Sequence, residues 1–197
     1  MATERSDVEL VDDAVVRQFA RAALVAALMG ATAPIEIPIS AVPGTLQMLV
    51  VFLAGLYLGP VWGPISMVIY LAAGAAGAPV FSGTETGIGV LLGQTGGFLW
   101  SFPVGALHVG VAVHRGTDLR DPANVSVPVV LAGLVMATIV VYLAGFTWFA
   151  VVTETTLTEA FTVVAAPLIP GDLLKMVAAV AIVRTARIQP VGVDESG

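Results

Sequence analysis

Six apolar stretches, each near the roughly 20 residues a helix needs to cross a bilayer, follow one another along this chain with little left between them. They run from Val16 to Ala33, Thr45 to Gly59, Val61 to Ala78, Phe98 to Val113, Val127 to Val152, and from Pro170 to about Val183. Proline, glycine or charge marks every cut. The predicted architecture is an all-α membrane protein, with six transmembrane helices over residues 16–185 between acidic tails at 1–15 and 186–197. Composition agrees, since 57% of residues are hydrophobic and 11% charged, against about 25% charged in a soluble domain. The mean hydropathy is +0.96. Twenty-one glycines and twelve prolines fit the same reading, because neighbouring helices can satisfy the backbone groups that such residues free.

The same inventory excludes several functions. The absence of cysteine removes disulfides, thiolate metal sites and cysteine nucleophiles. The net charge of -6 and the lack of a basic patch argue against a nucleic-acid partner. The acidic ends are either an adaptation to high salt or a solvated face. The first apolar run follows an acidic stretch, unlike a secretory signal, and reads as a retained helix. No Lys-Ser/Thr follows the glycines of "GQTGG", so the chain carries no Walker motif and no ATP site.

Orientation follows from the arginines, because Lys and Arg in short loops stay cytoplasmic. Arg5, Arg17 and Arg21 precede or open the first helix, Arg115 and Arg120 lie between helices four and five, and Arg184 and Arg187 follow the sixth. The three opposite loops hold only acids: Glu36, Glu85, Glu154 and Glu159. Both termini are therefore expected in the cytoplasm, with a Pro-rich segment (34–44) and a Gly-rich segment (79–97) outside. Irregular backbone near membrane depth must be covered by protein or line a cavity, so these outward loops are expected to cover a ligand cavity.

Asp172 and the chain's one lysine, Lys175, stand in the apolar sixth helix. A charge at a helix centre costs about 2.5 to 3.5 kcal/mol on insertion scales. Their i, i+3 spacing puts both on one face, and Pro170 and Gly171 open the helix so that Asp172 falls in its first turn. The pair offers an acceptor and donors in a dry place, suited to a polar uncharged group such as a urea, or it is a surface pair with Lys175 snorkelling outward. No nucleophile and base stand together, so no catalytic residue is assigned. Thr45 in "PGTLQ" can cap the second helix. Gln47 either contacts a ligand or bonds between helices. In "GQTGG", Thr95 and Gly96 open the fourth helix, where glycine permits close backbone approach or tight packing. Ala23, Ala27 and Ala31 form a small-residue face that serves internal packing or an external partner. His108 stands alone and reads as a hydrogen-bonded core histidine, not a metal ligand. Tyr142 and Trp148 are either interfacial aromatics or ligand-stacking surfaces.

Four ordered stretches, "IPISAVPGTLQMLVVFLAGLYLGPVWG", "YLAAGAAGAPVFSG", "GVLLGQTGGFLWSFPVGAL" and "PLIPGDLLKMVAAV", closely resemble the BioY family, biotin-binding S components of energy-coupling factor transporters. The likeness runs from about Ala22 to Val183. It implies a six-helix protein that captures biotin from outside and delivers it with a transmembrane T component and two ATPase subunits, which bind the ATP. The chain itself would need no cofactor. In the family the Asp and Lys of "PGDLLK" take part in biotin binding and map onto Asp172 and Lys175. The outward loops would bring Thr45, Gln47, Phe81, Ser82 and the Gly93 to Gly97 run near the ligand, and the alanine face would meet the T component. This chain departs from the common "PVTLQ" and "GPTGG". Its Glu85 would repel biotin's carboxylate and is expected to point to solvent. Two other functions fit less of the sequence. One is a self-contained proton-coupled transporter of a small solute with Asp172 as the coupled carboxylate. The other is an intramembrane enzyme.

Overall fold

The computed structural model describes residues 12–38, 40–114 and 116–186. The tails at 1–11 and 187–197, with Arg5 and Arg187, and the loop residue Arg115 lie outside the described residues. Among these, five helices are long and apolar enough to cross a membrane, and the chain is a multi-pass membrane protein. α1 (Asp13–Thr32) starts three residues before the expected Val16, because the Asp12 carboxylate accepts the Ala14 N–H at 2.8 Å and caps the helix. Its inner face is Ala22, Ala26, Met29 and Gly30.

The second and third expected helices form one element, α2 (Gln47–Ala75), broken at Gly59. Gly59 has φ 73° and ψ -170°, a conformation that a Cβ would resist, and Pro60 follows it. The chain folds back on itself there. A Cβ on Gly63 would stand 2.9 Å from the Ala54 carbonyl oxygen, and Gln47 reaches Tyr70 at 2.6 Å. Along one straight helix those last two would be about 35 Å apart. Gly110 of α4 (Gly96–Val113) packs on the reversal, since a Cβ there would lie 2.6 Å from Pro60 N. α5 (Val127–Thr153) closes the other side of α4, and Phe52, Leu56, Met67, Leu134 and Val141 fill the core between them.

The sixth helix departs most from expectation. Helical backbone begins well before Pro170, with α6 (Leu157–Ala160), a π turn at Phe161–Ala165 and a 3-10 turn at Ala166–Leu168, before α7 (Ile169–Thr185). The cause is Pro167, which has no N–H to give the Val163 carbonyl four residues back. That carbonyl instead accepts the Ala41 N–H of the loop after α1, at 3.5 Å. The loop is not wholly irregular, as strands β1 (Glu36–Ile37) and β2 (Gly44–Thr45) pair antiparallel, Glu36 with Thr45. The Gly-rich segment carries α3 (Ile88–Leu92). The strand pair departs from the all-α expectation, and α3 adds a short helix within the segment expected to be irregular.

Contacts define two ends. At one, Arg184 donates to the carbonyls of Ala123 and Val125, and His114 joins the α2 reversal to the α4–α5 loop. His114 Nε2 meets the Leu56 carbonyl at 2.9 Å while Nδ1 accepts the Arg120 N–H at 3.0 Å. A neutral imidazole satisfies both partners. Burial pushes this imidazole below its ordinary value; the Leu56 and Gly55 carbonyls oppose the shift and the Arg120 charge adds to it. His108 is hydrogen-bonded as expected, but only to Val104 O of its own helix at 2.8 Å, and it is not in the core; the buried histidine is His114. At the other end lie β1, β2, α3 and the α5–α6 junction.

Candidate functional site

A cavity opens at the end away from the arginines, with about 590 Å³ of atom-free space, part of it open to solvent. Thr45, Gln47, Phe81, Ser82, Thr95, Tyr142, Asp172 and Lys175 all line it. Gly96 does not. It sits behind Thr95, where a Cβ would meet the Trp148 indole nitrogen at 3.0 Å, so its smallness serves helix packing. Trp148 donates to Gly93 O at 2.8 Å and holds the Gly-rich segment in place. Of the two aromatics read from α5, Tyr142 alone reaches the cavity.

The polar groups fall into two clusters. On α7, Lys175 Nζ lies 2.6 Å from Asp172 Oδ1, and the Tyr142 hydroxyl donates to Oδ2 at 2.6 Å. Both carboxylate oxygens are thus engaged, as a buried charge requires, and the side chains of Asp172 and Lys175 are 6% and 15% exposed. Lys175 therefore does not snorkel to the interface. It keeps two ammonium hydrogens for another acceptor. The opposite cluster is neutral. Oε1 of Gln47 accepts from Thr45 Oγ1 at 2.9 Å and from Ser82 Oγ at 3.4 Å, while Nε2 donates to Tyr70 Oη at 2.6 Å. Thr45 Oγ1 also accepts the Gln47 N–H at 3.2 Å and so braces the start of α2, although the cap position itself is Leu46 and not Thr45. Between the clusters stand apolar walls, among them Met48, Phe98, Phe102, Val141 and Leu168.

Phe81 ties the loop after α2 to the neutral cluster. Its ring meets Tyr70 edge-on, with centroids 5.6 Å apart at 88°, and seats on Gly74, where any side chain would collide with it. That contact delivers Ser82, the next residue, to Gln47. Glu85 is exposed, as expected, and with Glu36 borders a vestibule that shares Pro43, Ser82, Val90 and Thr95 with the cavity. On α1, Ala22 and Ala26 face inward while Ala27 and Ala31 are exposed and Ala23 half-buried. The Ala23, Ala27 and Ala31 face is thus free of internal packing over most of its length.

Sequence reasoning missed Tyr70 and the walls. The walls carry the same apolar pattern as any core position and give no signal. Tyr70 gave one, a hydroxyl in an otherwise apolar arm of α2, but its partner Gln47 is distant in sequence.

The sequence profile of the BioY family matches residues 3–190. A protein of Pyrococcus horikoshii named as a probable biotin transporter BioY is 37% identical over 167 residues, 85% of this chain and 93% of its own length. The biotin transporter BioY of Rhizobium etli is 34% identical over 168 residues, 85% of this chain and 89% of its own. Among solved structures, a crystal structure of the S-component for biotin from an ECF-type ABC transporter aligns with a TM-score of 0.70 and 25% identity. It covers 88% of this chain and 92% of that one. Agreement of sequence and fold over nearly the whole length places this chain in the BioY family.

Proposed function

We propose that this chain is the S component of an energy-coupling factor importer, which binds biotin from the extracellular side and passes it inward with an ATPase-driven T and A module. The observation that carries this is the cavity's polarity: an ionic cluster and a neutral hydroxyl-amide cluster separated by apolar walls, matching a ligand with a polar group at each end and a hydrocarbon and thioether middle. The relatives' names supply the identity of that ligand. Counting the two antiparallel arms of α2 separately gives six spans, which returns both termini to one side. Arg17, Arg21, Arg120 and Arg184 sit at the end away from the cavity, which by the positive-inside rule supports a cavity that opens outward. Asp172, Lys175, Tyr142, Gln47, Thr45, Ser82, Phe81 and Thr95 form the binding site. ATP belongs to the partner subunits, and the exposed alanines of α1 are the surface for the T component.

Titration of the purified protein with biotin tests this, followed by the same titration on Asp172→Ala and Lys175→Ala. The parent is expected to bind tightly and both variants to lose at least a hundredfold, since removing one partner leaves a buried charge alone. Unchanged affinity in the variants would remove the helix pair from the site. Uptake that persists without any ATPase partner and stops when the proton gradient collapses would instead favour a self-contained transporter.

A further inference from the structure

The neutral cluster leaves one proton unaccounted for. Tyr70 is 1% exposed, and with Gln47 Nε2 donating to its oxygen the phenolic proton has no acceptor among the described residues. Meanwhile Oε1 collects two hydroxyl protons, from Thr45 and Ser82. A half-turn of the amide exchanges Oε1 and Nε2 while every other atom stays put. The phenol then donates to Oε1, and the two Nε2 hydrogens go to Thr45 Oγ1 and Ser82 Oγ. The buried Tyr70 proton and both Gln47 amide hydrogens then have acceptors, which the first arrangement fails to give them, and the protons left over belong to the hydroxyls that line the cavity. Thr45 Oγ1 now accepts from both Nε2 and the Gln47 N–H, so its lone pairs are filled and only its own proton is left to offer.

We infer that Tyr70 is a positioning residue which holds the Gln47 oxygen toward itself and thereby makes Thr45 and Ser82 hydrogen-bond donors into the cavity. The group received there is an acceptor oxygen, a carboxylate or a urea carbonyl. The reading of the cavity as a biotin site underlies the ligand half of this inference. Tyr70 never touches the ligand; it acts through Gln47, and the Phe81 contact keeps its ring in register with the loop that carries Ser82.

Tyr70→Phe removes the phenolic proton and keeps the ring against Phe81. Biotin affinity is expected to fall about tenfold, the worth of one hydrogen bond, while in a Gln47→Ala background the same change is expected to cost nothing further. An unchanged affinity for Tyr70→Phe alone, or an equal loss in both backgrounds, overturns the inference. Biotinol, which lacks the carboxylate, separates the two acceptors. If the tenfold penalty disappears with biotinol, the pole receives the carboxylate; if it persists, the pole receives the urea carbonyl. A readout without ligand covers the case in which the parent binds no biotin, a result that would remove the proposed function alone. In isotope-labelled protein the Gln47 Nε2 protons are expected to show nuclear Overhauser contacts to the Thr45 methyl and the Ser82 β protons. Strong contacts to the Tyr70 ring protons instead would overturn the inference by themselves.

Discussion

The two poles of the cavity are built on opposite principles. The ionic pole comes from a single helix: Asp172 and Lys175 are one turn apart on α7, and only Tyr142 is supplied from elsewhere. The neutral pole is assembled from four places in the chain: the strand end at Thr45, the start of α2 at Gln47, the returning arm at Tyr70 and the loop after α2 at Ser82. A local pole forms whenever its helix forms. The assembled pole forms only when the α2 reversal, the Phe81 contact and the loop are all in place. It is the pole able to report whether the loop that carries Ser82 is seated.

The sharpest way to break the comparison is at the ionic pole. Asp172→Leu is expected to destabilise the protein by about 3–5 kcal/mol, because Lys175 is left charged and unpaired, whereas Asp172→Leu with Lys175→Met is expected to restore most of that while still binding no ligand. Thermal unfolding in detergent measures both, and a double variant as unstable as the single one would mean the pair does more than neutralise itself. A smaller effect is expected at the neutral pole from Gly74→Ala. The new methyl meets the Phe81 ring, at an overpacking cost of about 1–3 kcal/mol, and biotin affinity drops as Ser82 is carried away from Gln47. A loss of stability with no loss of affinity would show that the neutral pole does not depend on the loop. The smallest effect lies remote from both poles. His114 resists protonation in the folded protein but takes up a proton in the unfolded chain from about pH 6.5 downward, so its share of stability is present above that pH and lost as pH falls below it. His114→Gln is expected to flatten this part of the stability profile as pH falls below about 6.5, with the affinity of the folded fraction unchanged.

How much of this was legible follows from the same contrast. Asp172 and Lys175 stand out in sequence because charge in an apolar helix is costly wherever the helix goes. Gln47, Thr45 and Ser82 were readable as polar groups at helix starts and loops, but their joining was not, since it depends on a contact between Gln47 and Tyr70 across a reversal. The apolar spans were legible from their length. The joining of α2 into one doubled element was not, because Gly59–Pro60 reads equally as the end of a helix and as a hairpin without a loop. Nor could the π and 3-10 turns before α7 be foreseen: Pro167 predicts a freed carbonyl, but not that Ala41 would take it.

The doubled α2 also sets the depth of the cavity. From the reversal to Gln47 the first arm rises about 18 Å at 1.5 Å per residue, well short of the roughly 30 Å hydrocarbon slab. Trp62 flanks the reversal, half-buried, and suits the level where aromatic residues meet headgroups. With that end fixed at the interface, Gln47 lies within the slab, and β1, β2 and the Phe81 loop occupy the thickness the short arm leaves empty. The mismatch is filled by protein instead of lipid, so a small polar molecule entering from the loop end would pass the loop-side part of the low-dielectric barrier and reach Gln47 before any helix moves.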